Sequence, residues 1–206
     1  LAAATNYYMT VTAVDPAGNE SAVVNSANWQ IFEPDAISGL EIWLDAADTA
    51  TLFTDTACSS AVSSDGDAVA CWADKSGANH DFIQSSAAWQ PTYRTSAMNS
   101  LAGIEFDGSG ERLEDADASS YLAGNSGVTL FVVIKADTTN HDLGIFHTST
   151  PDGSDDVLGI RYDKAGASGG GSQLLKAGVS NGSGHTQIEN QSSSQTTDAQ
   201  LSLIHI

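Results

Sequence analysis

Basic residues are scarce in this chain: Lys and Arg number 7 against 26 Asp and Glu, a net charge of -19 over 206 residues. Nucleic-acid binders need a basic stripe that displaces counterions from phosphates, and anionic membrane surfaces attract basic segments, so both are poor partners for this chain. The acid surplus implies a well-solvated surface, with divalent-cation binding as the sharper alternative. Long hydrophobic runs are missing too. The longest, Val128-Thr-Leu-Phe-Val-Val-Ile134, falls far below the ~20 residues of a membrane-crossing helix and reads as a buried strand. Cysteine is limited to Cys58 and Cys71, and without a Cys-x-x-Cys pair or a nearby histidine cluster a zinc centre is disfavoured. His80, His141, His147 and His185 are scattered without metal-ligand spacing. Helical periodicity is absent as well, since no segment of three turns keeps it.

What is present is turn chemistry between short alternating segments. Tyr7-Tyr-Met-Thr-Val-Thr-Ala-Val-Asp15 alternates with period two, Asp15-Pro-Ala-Gly-Asn19 supplies a reversal, and Ser21-Ala-Val-Val24 can return as a second strand. Such a hairpin cannot be stable alone and belongs to a larger sheet. Residues 25–38 lack a period, carry Pro34 and read as a linker in which Trp29, Ile31 and Phe32 pack against a neighbour. Beyond Gly39, strands are expected near 40–44, 68–72, 91–93, 102–106, 128–135, 143–147, 157–162, 173–179 and 186–190, which is an all-β pattern. Ala165-Gly-Ala-Ser-Gly-Gly-Gly-Ser172 reads as a long hairpin connection. Ser63-Ser-Asp-Gly-Asp67 favours a reversal that brings Cys58 and Cys71 together. A disulfide there would stabilise the fold by about 3 kcal/mol in the entropic account and place the chain in an oxidising, extracellular or cell-surface setting. The alternative is two buried free thiols.

The first hairpin resembles the last two strands of a fibronectin type III domain, whose closing segment commonly reads Tyr-x-x-x-Val-x-Ala-Val-Asp-x-Ala-Gly-Asn-Glu-Ser. The resemblance covers residues 1–24 and makes Tyr7 the corner tyrosine. Gly39-Leu-Glu-Ile-Trp-Leu-Asp-Ala46, Trp72-Ala-Asp-Lys-Ser-Gly77, Gln90-Pro-Thr-Tyr93, Ile104-Glu-Phe-Asp-Gly-Ser109 and Leu130-Phe-Val-Val-Ile-Lys135 occur in the order found in laminin-G-like, concanavalin A-like modules of large bacterial surface and secreted proteins. This second resemblance spans 39–200. It implies a two-sheet antiparallel jelly roll, incomplete at its C-terminal end, and a non-catalytic carbohydrate- or matrix-binding role, with a structural spacer or protein-adhesion role as the alternative. Partners would be a glycan or a surface or matrix protein, together with neighbouring domains of the same polypeptide.

Read as residues, Leu40, Ile42 and Leu44 share one strand face, leaving Glu41, Trp43 and Asp45 on the other. Trp43 is then a packing residue or a sugar-stacking ring. Asp74 suits accepting backbone N–H groups and Gly77 a left-handed turn, and Asp107-Gly108 makes the same sense. Endo-β-glucanases of this fold carry Glu-x-Asp-x-Glu on one strand. Here Trp43 stands where the middle acid belongs, and Asp48 lies beyond the strand, so no catalytic residue is assigned. No Gly-x-Ser-x-Gly segment stands between a strand and a helix as a nucleophile elbow requires, the one match lying inside the Gly/Ser-rich connection, and there is no phosphate-cradling loop. Calcium is the one cofactor entertained, with Asp152, Asp155 and Asp156 as candidate ligands and the Asp65-Gly-Asp67 turn as a weaker contributor. Leu201-Ser-Leu-Ile-His-Ile206 matches the translation of a transposon-end adapter used in DNA library preparation, so residues 201–206 are expected to be foreign to the natural chain.

Overall fold

The structure, a computed structural model, describes residues 6–7, 10–11, 24–25, 29–30, 34–117, 127–135, 143–149, 156–163, 174–180, 185–189 and 200–205. In chain order the strands are β1 (Asn6–Tyr7), β2 (Thr10–Val11), β3 (Val24–Asn25), β4 (Trp29–Gln30), β5 (Leu52–Phe53), β6 (Cys71–Trp72), β7 (Phe82–Ile83), β8 (Thr92–Met98), β9 (Leu101–Glu105), β10 (Thr129–Ile134), β11 (Leu143–Ser149), β12 (Asp156–Asp163), β13 (Leu174–Ser180), β14 (His185–Glu189) and β15 (Gln200–His205). Helical structure among the described residues is limited to short 3-10 turns at Pro34–Ala36, Thr49–Thr51 and Ala87–Trp89. The chain is β-rich, and no helix among these residues is long and apolar enough to cross a membrane.

The expected N-terminal hairpin has its counterpart in β2 against β3, with Val11 opposite Val24. The segment read as a linker also enters a ladder, since Tyr7 in β1 pairs with Trp29 in β4. The side chains of Trp29, Ile31 and Phe32 and the corner role of Tyr7 lie outside the described residues. Further along, β11 to β14 form an antiparallel meander. Its central pair starts from Asp163 opposite Leu174, so the Gly/Ser-rich segment between them joins two paired strands as a hairpin connection does. β10 pairs with β15, Leu130 opposite Ile204, so the hexapeptide ascribed to adapter DNA occupies a ladder position.

Two apolar clusters organise the interior. Buried Leu52, Val62, Val69 and Tyr93 pack with Trp72, Ala102, Ile104 and Leu113, bringing together the three-stranded sheet β5-β6-β7 and the hairpin β8-β9. Burying an aliphatic side chain of this size is worth roughly 1.5–3 kcal/mol, so Leu52, Val62 and Val69 anchor the region together with the Tyr93 ring. Ile160 on β12 forms the second cluster with Leu130, Val132 and Ile145, laying one face of β10 on the meander. The opposite face leaves Phe131 59% and Val133 62% exposed. The expectation that 128–134 is a buried strand is therefore corrected to one face only: its period-two geometry presents alternate residues to Ile160 and leaves the others outside.

The other correction concerns 40–44, expected as a strand, which enters no ladder. Its backbone groups are taken elsewhere. Trp43 N donates to the Asp74 carboxylate at 2.8 Å, Lys75 N donates to Trp43 O at 2.9 Å, and the Ser76 hydroxyl donates to Glu41 O at 2.8 Å. A turn thus replaces a neighbouring strand as the partner of this segment. The β8-β9 hairpin closes through Asn99 and Ser100, both at positive φ (50° and 62°), as a tight primed turn requires.

Candidate functional site

Carboxylates in residues 34–117 are used mostly to hold backbone. Asp74 is the hub: it accepts from Trp43 N, Ser76 N, His80 N and the Ser76 hydroxyl, while its own N–H donates to Asp81 at 2.8 Å. Burial opposes its charge, but the bonds from Ser76, Trp43 and His80 outweigh that cost and hold its pKa below the ordinary 3.8. Gly77 sits at φ +89°, so both halves of the expected turn chemistry are present. Asp107 accepts from Ser109 N at 2.6 Å beside Gly108 at φ +75°, the same device. Asp65 accepts from Thr95 N, and Asp67 from Ser63 N and Ser64 N. The Asp65-Gly-Asp67 turn considered for calcium is thereby a backbone brace. Of the other calcium candidates, Asp152 and Asp155 lie outside the described residues, and Asp156 is described only as a strand residue pairing with Ser149.

Lys75 draws Asp45 and Asp48 together, its ammonium 3.1 Å from one and 2.9 Å from the other, and lies 4.3 Å from the centre of the Trp43 ring. Trp43 is thus a packed ring beneath a cation. The Lys75 hydrogen bond, helped by the Ala50 N–H, pulls the Asp48 pKa below its ordinary value. A carboxyl held ionised in this way is poorly suited to donating a proton to a leaving group. Glu41, the remaining acid of that motif, is exposed.

The disulfide expected between Cys58 and Cys71 is formed, with Cα atoms 5.6 Å apart, and ties the 55–60 loop to β6. Asp81 lies near both sulfurs. With the sulfurs joined to each other they offer no thiolate to a metal. His80, which lacks metal-ligand spacing, is buried and its Nδ1 lies 3.0 Å from Asp115, linking the Asp74 turn to the 111–117 segment. Nothing in the spacing of His80 and Asp115 announces that pair.

A different surface is built around Trp89, which sequence reading passed over. Trp89 ends the 3-10 turn Ala87–Trp89, just before the buried Pro91, and leaves 43% of its surface exposed. The guanidinium of Arg112 lies 4.1 Å from the ring centre. Arg112 is fixed there by its own N–H donating to Trp89 O at 3.0 Å, by Glu114, and by Gly110 O at 3.3 Å. Gln84 supports the arrangement from beneath, donating from its amide to Arg112 O at 3.2 Å and accepting from Ser86 N at 2.9 Å. Gly110, at φ +107°, crosses the ring edge with no side chain. Beside it, burial raises the pKa of Glu111 above the ordinary 4.5, although its carboxylate accepts Asp107 N–H. Phe106, at the start of this loop, is 46% exposed. The signal available in sequence was Pro91, which biases Gln90 toward extended backbone and so ends the turn at Trp89. No protein-family model matches the chain, and neither a curated protein nor a solved structure matches it significantly.

Proposed function

We propose that the chain belongs to a secreted or cell-surface protein and that residues 39–200 form a non-catalytic module binding carbohydrate or matrix. In this reading the module is a laminin-G-like jelly roll, preceded in 1–24 by the closing hairpin of a fibronectin type III domain. One observation carries the binding role: Trp89 is held in the open by a backbone-anchored Arg112, a rigid aromatic face of the kind that stacks on sugar rings. The jelly-roll assignment draws support from antiparallel pairing in the described ladders and from β10 lying on the meander through Ile160. The extracellular assignment draws support from the disulfide.

A glycan array probed with the chain, with and without calcium, tests the proposal. Selective binding of at least one glycan is expected, weakened about tenfold or more by Trp89→Ala, the size of loss that removing an anchoring aromatic produces. A folded protein that binds none counts against it. The second reading, a spacer or protein-adhesion module, is favoured by the stiffness that the Asp braces and the disulfide give to the loops. It predicts that Trp89→Ala leaves every interaction of the chain unchanged.

A further inference from the structure

We infer that Asp81 guards the Cys58–Cys71 disulfide against thiol exchange, so that the bond tying the 55–60 loop to β6 resists the soluble thiols that reduce an unguarded pair. Exchange begins when a thiolate attacks one sulfur and the other leaves as a thiolate. Cys71, on the central strand of β5-β6-β7, has no exposed surface, whereas Cys58 is partly exposed. An incoming thiolate therefore forms its new S–S bond to Cys58 Sγ. The Cys58–Cys71 bond breaks, and its electron pair departs on Cys71 Sγ, which takes a proton from water. A second thiol then displaces Cys58 from the mixed disulfide, and the two reductant sulfurs end joined to each other.

Asp81 opposes both halves of the first step. A carboxylate oxygen of Asp81 and the two sulfurs all lie within 4.8 Å of one another. The attacker brings negative charge to Cys58 and the leaving group develops it on Cys71, in both cases beside a charge of the same sign. The carboxylate is held in place, because its Oδ1 accepts the Asp74 N–H at 2.8 Å and so is tied to the turn that Asp74 organises. No lysine or arginine among the described residues forms an ion pair with it. Burial of Cys71 works in the same direction, since a thiolate formed away from water is itself disfavoured. At this range, in a partly buried setting and with about half a charge on the leaving sulfur, one carboxylate slows exchange by roughly tenfold. The net charge of -19 also repels anionic thiols, but that long-range field is screened by salt, and a charge in contact with the sulfurs is screened much less.

The test times reduction of the folded full chain by a neutral thiol (2-mercaptoethanol), a cationic one (cysteamine) and an anionic one (2-mercaptoethanesulfonate), each rate taken per thiolate and in about 0.5 M salt to suppress the long-range field. Asp81→Asn keeps an oxygen to accept the Asp74 N–H and removes the charge. The neutral thiol is expected to reduce this variant about tenfold faster than the unaltered chain, and the ratio of cationic to anionic rates is expected to fall towards one. An unchanged rate overturns the inference. So does equal acceleration by all three thiols, which marks a loosened loop and not a lost charge. Should Asp81→Asn fail to fold, the unaltered chain decides: a preference for the cationic over the anionic thiol that persists at this salt supports the inference, and its disappearance, which assigns the preference to net charge alone, overturns it.

Discussion

Asp74 shows how much one carboxylate can organise. It accepts from the backbone N–H groups of Ser76 and His80 and from that of Trp43, so it fixes its own turn and fastens the 40–45 segment to that turn. Removing it would leave three N–H groups in a partly buried setting without their acceptor. Hydrogen bonds to charged groups contribute about 1.5–3 kcal/mol each, and they are not additive within one network. Asp74→Ala is expected to destabilise the chain by about 3 kcal/mol in urea unfolding, and Asp74→Asn, which keeps one carbonyl oxygen as acceptor, by roughly half as much. A loss below about 0.5 kcal/mol for Asp74→Ala would show that water replaces the carboxylate without cost. The role of Asp74 was legible in Trp72-Ala-Asp-Lys-Ser-Gly77 because turn preferences are local. The fate of Trp43 was not, because the alternation of Leu40, Ile42 and Leu44 describes which side chains face inward and says nothing of which backbone partner lies alongside. His80 and Asp115 were illegible for a related reason: a buried pair 35 residues apart carries no local pattern.

Among the elements, the hairpin β8-β9 has the tightest tolerance. Arg94 pairs with Gly103, and the register shifts between Arg94 and Met98, which swings Ala97 toward Gly103. A Cβ built on Gly103 would lie 2.6 Å from the Ala97 Cβ, closer than real side chains approach. Gly103→Val is therefore expected to cost about 2–3 kcal/mol, the range of overpacking in a fixed backbone. Pairing it with Ala97→Gly should recover part of that loss, and a double-mutant cycle in denaturant measures the recovery. Additive effects would show that the contact is relieved by a backbone shift. At this scale the longer strands β9, β10 and β12 to β14 were visible as apolar runs between Gly, Ser and Asp clusters. The two-residue strands β5 and β7 were not, since so short a segment holds no period to read.

For the molecule as a whole, the braces make stability depend on acidity. Asp48, Asp55, Asp65, Asp67 and Asp74 all have folded pKa values below the ordinary 3.8. Each binds protons less readily folded than unfolded, so its contribution is complete above that value and disappears as pH falls through the lowered folded pKa. Glu111, raised by burial, has the opposite sign: it favours the folded state below its ordinary 4.5 and loses that contribution as pH rises. One group against five leaves a net acid sensitivity. The thermal midpoint is expected to be flat from pH 7 to about pH 5 and to fall steeply below about pH 4. A midpoint unchanged at about pH 3 would show that the loops hold without their ionised caps.

The lysine that joins Asp45 to Asp48 also governs how the chain meets chemical reagents. Acylating esters react with neutral amines. Burial works against the charged form of Lys75, but its bonds to Asp48 and Asp45 prevail and keep it protonated beyond the usual range. The other lysines are Lys135, Lys164 and Lys176, and none lies between 76 and 134. Dye labelling or surface coupling through side-chain amines should therefore spare Lys75 and leave the stretch bearing Trp89 and Arg112 chemically untouched, so that a tagged or immobilised chain still presents that face to a ligand.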